Sequence, residues 1–324
     1  MPVVVTVQFP VSGLWVKESA LGCRCQVAYQ DHNAWLELPS SDDHIVSRSK
    51  PSADAEWTVE IPQVIVSIEM PKDLLAEDPE TLTESPDSFV DASQLGREAV
   101  GIAGELLSEV LTWARTDFQQ FMIGPTYHPA ETNDSPKMRD SSGRPFHYGY
   151  GATRRIPYGH AREALGTEDL QAIAARITGR QASSPSAKLL ADARYYARNS
   201  HPNASIAVLM AAISSEVRIK TFLTTHARPD QATLMEVLKV ASDRPLLSPP
   251  QLYDKGLMLF LGRSLREDQQ DTYIGLSDLF KTRNQIAHGK AFDAEPIEVR
   301  RMVEAAHDAA RYLTVVAREL QPGD

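Results

Sequence analysis

The chain reads as an α+β protein, with a small antiparallel β domain followed by an all-helical bundle. Two observations predict this. Residues 2–71 carry short runs rich in β-branched and aromatic side chains, separated by Pro, Gly, Asp and Asn clusters, which is the pattern of strands and turns. From residue 167 onward, apolar positions recur instead at intervals of three and four, with capping and stop residues at the ends of the runs, as in amphipathic helices. A length of 324 residues, 42% hydrophobic and 23% charged, accommodates two globular domains of ordinary size.

The expected strands are Val3-Val4-Val5-Thr6-Val7-Gln8-Phe9, then residues 23–29, 34–38 and 57–70, within a β domain over 1–90. Trp15, Trp35 and Trp57 all fall here, and the area of an indole predicts that each packs in the core. Cys23 and Cys25 are too few and too close for a disulfide framework. Alternate positions of a strand place both thiols on one face, and a reduced, cytoplasmic setting is expected. Neither His32 nor His44 completes a zinc spacing with them, so no metal is expected. Nothing in these residues names the ligand or partner of the β domain.

Residues 71–90 are acidic and Pro-containing and read as a linker or edge loop. A long connecting helix over 91–122, capped by Asp91, then repeats Leu95, Ala99, Ile102, Leu106, Val110, Trp113 and Ala114 at helical spacing. Such a stripe must pack on the sheet or on the helical domain. Regular pattern fails over 123–166, a length that is uncommon inside a compact domain. Basic and aromatic residues interleave in its second part, and Arg154, Arg155 and Tyr158 there can meet phosphates and stack bases. A Gly-rich surface loop is the plainer reading.

The helical domain over 167–324 opens with Glu168 and Asp169 in a first turn, and Pro185 at a first helical position begins the next helix. From Asn203, a third helix puts Ile206, Leu209, Ile213, Val217 and Lys220 on one side, with Glu216 beside that stripe. Two amphipathic segments, 231–241 and 250–261, come next. Pro296 starts the last helix, with Val299, Met302, Val303, Ala306, Ala310, Leu313 and Ala317 inward and His307 beside them. No apolar run approaches the ~18 residues of a membrane span, and residues 1–16 lack a basic targeting start. No membrane association is expected.

Chemistry concentrates in Leu279-Phe280-Lys281-Thr282-Arg283-Asn284-Gln285-Ile286-Ala287-His288-Gly289-Lys290. At about 100° per residue, Leu276, Leu279, Phe280, Arg283, Ile286 and Ala287 share one face, so a guanidinium sits in an apolar stripe. A buried charge needs a partner, a cleft or another protein against it. Asn284 and His288 lie one turn apart, where the amide can orient the imidazole. His288 also lies at the negative end of the helix dipole, next to the Gly289 stop, which suits a proton donor. Glu216 can meet Arg283 across the helix pair or pair with Lys220 four residues on.

The Arg-to-His interval by itself is unspecific, because Arg155/His160, Arg194/His201 and Arg301/His307 repeat it. The first runs through Pro157 and Gly159, the second into a helix end before Pro202, and the third pair lies about 240° apart around a helix. Arg283 alone combines a stripe position, an adjacent amide and a His-Gly terminus. No Gly-rich nucleotide loop, His-Glu-x-x-His helix or Gly-x-Ser-x-Gly elbow competes with it.

Arg-Asn-x-x-x-His-Gly at a helix end resembles the motif of the HEPN superfamily, all-helical domains that include many metal-independent ribonucleases. Ala204-Ser205-Ile206-Ala207-Val208-Leu209-Met210-Ala211-Ala212-Ile213-Ser214-Ser215-Glu216 is similar to the alanine-rich, Glu-ending helix of the Apea-like branch, and residues 297–320 are similar to its closing helix. The resemblance spans roughly residues 183–321. It implies catalytic Arg283, His288 and Asn284, a supporting Glu216, no metal or other cofactor, and an RNA substrate contacted also by Lys281 and Lys290. It further implies a homodimer whose paired motifs form one composite site leaving a 2′,3′-cyclic phosphate, and a role in RNA-targeting defence. With a net charge of −10, RNA must meet a local basic patch, not a generally basic surface. The rival reading is a dimeric binding or sensing module in which Arg283 and His288 are structural. An enclosed, satisfied guanidinium marks the rival; a guanidinium open to a groove marks the enzyme.

Overall fold

Alternation builds the first unit. In strand β1 (Val3–Pro10), Val3, Val5, Val7 and Phe9 are buried while Val4, Thr6 and Gln8 face outward, the period-2 signature of a sheet with one covered face. The computed structural model describes residues 3–40, 45–50, 52, 55–70, 86–120, 123, 137–140, 145–146, 164–198, 203–237, 246–289, 292 and 294–320. They fall into two units, Met1–Ser183 and Ser184–Asp324. The architecture is α+β.

After β1 come β2 (Trp15–Lys17), β3 (Arg24–Tyr29), β4 (His32–Glu37), β5 (Ser47–Ser49), β6 (Thr58–Glu60) and β7 (Gln63–Met70). Helix α1 (Pro86–Asp117) follows, then β8 (Lys137–Asp140) and β9 (Pro145–Phe146). A six-stranded sheet has the order β3-β4-β7-β1-β8-β9 and a three-stranded sheet the order β2-β6-β5, and every pairing within them is antiparallel. The run expected over 57–70 is divided into β6 and β7 at Ile61-Pro62, because Pro62 has no N–H for a ladder. Gln30 and Asp31, at φ 47° and 69°, make the two-residue turn between β3 and β4.

Only one of the three expected core tryptophans is in the core. Trp15 is buried, Trp35 is half-buried, and Trp57 is 44% exposed. In β4 the inward set is Ala34 and Leu36, so Trp35 takes the outward phase and carries the Arg24 guanidinium 5.3 Å above its ring. Cys25 is buried and Cys23 half-buried, with the two Sγ atoms 3.6 Å apart. Burial, and then the neighbouring Cys23, push the Cys25 thiol up to about 12.

Helix α1 starts at Pro86, so Asp91 lies within it and is not its cap. Proline is suited to a first helical position, where a missing N–H costs nothing. Leu95, Ala99, Ala103, Leu106, Leu107, Val110 and Ala114 pack into one core with the sheet residues. Just past the helix, fully buried Gln120 accepts from the Trp15 N–H at 2.8 Å and donates to the Trp15 carbonyl at 2.6 Å. A side-chain amide thus serves one residue of β2 as a neighbouring strand would. Helix α2 (Thr167–Thr178) buries Leu170, Ile173, Ala174 and Ile177 in that same core and packs on β3. It belongs to the first unit, although the helical period alone groups it with the segments that follow.

The second unit comprises α3 (Pro185–Arg198), α4 (Ala204–His226), α5 (Ala232–Val237), α6 (Pro249–Gln251), α7 (Leu257–Leu261), α8 (Leu265–Asp268), α9 (Gln270–Ala287) and α10 (Pro296–Leu320). A π-helical turn, Leu252–Gly256, joins α6 to α7. Helices α3, α4, α9 and α10 enclose a core of Leu190, Val208, Leu223, Leu257, Leu276, Leu279, Met302 and Leu313, among others. Gly275 lets α9 approach α10 closely, since a Cβ there would stand 2.7 Å from the Ala305 Cβ. Buried Tyr253 donates its hydroxyl to the Ser215 carbonyl at 3.1 Å.

Helix α4 turns the side that carries Ile206, Leu209, Ile213, Val217 and Lys220 away from the core. Its inward residues are Ala207, Val208, Ala211, Ala212, Ser214, Ser215, Ile219 and Leu223, whereas Ile213 and Val217 are exposed and Ile206 and Leu209 half-buried. Small residues win the inner side because they let α3 and α10 come close. The larger Ile213 and Val217 face out. Among the described residues, no helix is long and apolar enough to cross a membrane.

Candidate functional site

The end of α9 is shaped by its stop signal. The His288 N–H donates to the Asn284 carbonyl at 3.1 Å, and Gly289, at φ 69°, donates its N–H to the Ile286 carbonyl at 2.9 Å. That left-handed step is what glycine permits at low cost. Upstream, Leu276, Leu279 and Phe280 are buried, but the stripe leaves the core in the last turns, where Arg283 is half-buried and Asn284, Ala287 and His288 are exposed.

Arg283 emerges into a cleft of about 390 Å³. Helix α9 contributes Phe280, Lys281, Arg283 and Asn284; α4 contributes Glu216; and the entry to α6 contributes Leu247, Ser248, Pro249 and Pro250. Among the described residues, neither Arg283 nor exposed Lys281 has a carboxylate partner. The Arg283 Nη1 donates to Asn284 Oδ1 at 3.1 Å. Glu216 shares the cleft, but its Oε1 accepts from Lys220 Nζ at 2.7 Å. Of the two pairings open to Glu216 in the sequence, the one with Lys220 forms and the one with Arg283 does not. Two unpaired cations in one concave site make a local positive field in a chain of net charge −10.

No family model, curated protein or solved structure matches this chain. The site's own geometry therefore carries the functional argument.

Asn284 does not orient His288. Its Oδ1 turns to Arg283, and the exposed imidazole one helical turn on makes no hydrogen bond among the described residues. Asn284 therefore fixes the guanidinium and leaves the histidine open to an incoming group. Among the described residues, no group of three or more His, Cys, Asp or Glu side chains stands ready for a metal ion. Arg154, Arg155, Tyr158 and Lys290 lie outside the described residues.

Among the described residues of this unit, the buried arginine is Arg194 of α3, 2% exposed. Its Nε and Nη2 reach Glu304 of α10 at 3.3 and 3.4 Å, and Arg198 Nη2 meets the same carboxylate at 2.7 Å. His307 lies in this group. Burial, then the Arg194 charge, lowers its pKa from the ordinary value, while Glu304 and Asp308 oppose the shift. Arg194 and His307, each set aside within its own interval, come together across two helices. The signal was present: Leu190, Ala193 and Ala197 are all buried around Arg194, the same stripe argument that drew attention to Arg283.

Proposed function

We propose that the second unit is a metal-independent endoribonuclease of the HEPN type, acting through Arg283, Asn284 and His288. The observation that carries this reading is the unpaired Arg283 guanidinium, open to a cleft and about a turn and a half from an exposed histidine at the helix end. RNA brings its own nucleophile, the 2′-hydroxyl. The reaction then needs a base to take that proton, an acid to protonate the leaving 5′-oxygen, and a cation for the charge of the phosphorane. Arg283 supplies the cation and His288 the proton transfer, and the product is a 2′,3′-cyclic phosphate.

One imidazole per chain cannot serve readily as both base and acid, so two chains share one site. The outward stripe of Ile213 and Val217 on α4, next to Glu216 of the cleft, supports a second copy as the partner that covers it. The cellular role proposed is RNA-targeting defence, with the β unit sensing a ligand or partner.

A non-catalytic binding module is the second reading, and the lack of an orienting partner for His288 among the described residues favours it. The two separate in one experiment: labelled RNA incubated with the purified protein in EDTA, beside His288→Ala and Arg283→Ala, with product ends analysed. The nuclease reading expects cyclic-phosphate ends and a loss of ~10²–10⁴-fold in either variant. Absence of cleavage by the well-folded dimer selects the binding module.

A further inference from the structure

The cleft beside Arg283 carries more information than a phosphate site requires. At about 390 Å³ it falls within the range of small-molecule pockets and suits one nucleotide, not a duplex. Its lining combines the cations Lys281 and Arg283, an apolar wall including Leu247 and Pro249, the neutral polar residues Ser248 and Asn284, and the acceptor Glu216.

The cations fix which part of a nucleotide goes where. The start of α6 offers no N–H to an anion, because Pro249 and Pro250 have none and the Ser248 N–H already donates to Gln251 Oε1 at 2.9 Å. A phosphate must therefore lie on Arg283 and Lys281. Arg283 has donors left for it, since only Nη1 is engaged, by Asn284. The Ser248 hydroxyl donates to Gln251 Oε1 at 3.1 Å and Asn284 Oδ1 is held by Arg283 at 3.1 Å, so the base is left chiefly to the apolar wall and to Glu216. One oxygen of Glu216, Oε1, holds Lys220, and Oε2 accepts no hydrogen bond among the described residues.

An ionised carboxylate only accepts, which discriminates among the bases. Guanine alone presents two neighbouring donors, N1–H and the N2 amino group, on its pairing edge. Adenine and cytosine set a ring-nitrogen acceptor beside their amino group, and uracil flanks its one N–H with two carbonyls. An acceptor facing a carboxylate is repelled and leaves buried polar groups unpaired.

We propose that this cleft is a guanine-nucleotide pocket in which Glu216 determines base preference. The proposal rests on Arg283 being a phosphate-binding group, as in the nuclease reading, and adds where the RNA is read: next to a guanosine.

Calorimetric titration of the full-length protein with 3′-GMP, 3′-AMP, 3′-CMP and 3′-UMP tests it, with Glu216→Gln and Arg283→Ala alongside. The expected result is a preference of about tenfold or more for 3′-GMP, levelled in Glu216→Gln, with all four nucleotides weakened together in Arg283→Ala. Equal binding of the four by the native protein overturns the proposal, as does a guanine preference that persists in Glu216→Gln. The native comparison needs no variant, so it decides even where a substitution impairs folding. Failure is also separable from failure of the nuclease reading. RNA cleavage with no nucleotide preference removes the pocket and keeps the enzyme, whereas guanine preference without cleavage keeps the pocket and removes the enzyme.

Discussion

Glu216 and Arg283 line one cleft, yet they are not an ion pair: Glu216 Oε1 takes Lys220 at 2.7 Å, and Arg283 Nη1 takes Asn284 at 3.1 Å. The i, i+4 pairing within α4 needs no reach between helices, and it neutralises the acid locally. Arg283 keeps its charge for whatever enters.

Asn284 is a positioning residue for Arg283, not for His288. On the proposed nuclease reading, Asn284→Ala is expected to raise KM for RNA by about tenfold with a smaller change in kcat, whereas His288→Ala lowers kcat with little change in KM. Steady-state kinetics on one short RNA separates the two. A kcat loss in Asn284→Ala equal to that of His288→Ala would show that the amide acts on the imidazole after all.

The outward stripe of α4 leads to a second expectation. Ile213→Asp places a charge amid exposed aliphatics that a second copy is proposed to cover, and it should give a monomer of unchanged helicity and no RNA cleavage. Sedimentation velocity and circular dichroism check this together with the cleavage assay. An active monomer removes the shared site.

Much of this was legible in the sequence and some was not, for reasons that particular residues display. Alternation in Val3–Pro10 has one solution, because only one phase buries valines and phenylalanine. Helix α4 has two, since apolar residues occupy both its faces; Ala207, Ala211 and Ala212 win the interior by being small, a property that periodicity does not weigh. Trp35 was misplaced because bulk was read without its strand phase. Arg194 was missed because intervals were compared within helices, while its partner Glu304 lies 110 residues away.

Close approach of α9 and α10 depends on Gly275. Gly275→Ala brings a Cβ to 2.7 Å from the Ala305 Cβ, and neither methyl can rotate away, so about 1–3 kcal/mol of stability should be lost. Chemical denaturation measures it. Adding Ala305→Gly should restore part of the loss; an additive double mutant argues against the contact.

The pKa of His307 is lowered in the fold, first by burial and then by Arg194. With its unfolded pKa near the ordinary ~6.5, the unfolded chain binds the extra proton between the two values. Stability is therefore full above about pH 6.5 and declines as pH falls through the folded pKa. Denaturant midpoints of the isotopically labelled second-unit resonances at pH 7.5 and 5.5 should show this decline. His307→Gln should flatten it, and an unchanged slope counts against His307 as the source.

The Gln120 clasp on Trp15 bridges 105 positions of chain, and β1 pairs with β8 from Val3↔Asp140 to Thr6↔Lys137. For a chain emerging from the ribosome, β1 can pair early with β7, but its other edge waits for β8, more than a hundred positions behind it. Helix contacts in the second unit are closer along the chain in part, as in α8 with α9. Topology of the first kind is slow to close. The nascent β unit completes its sheet only late in its synthesis, and a stop before α1 leaves an aliphatic sheet face in water.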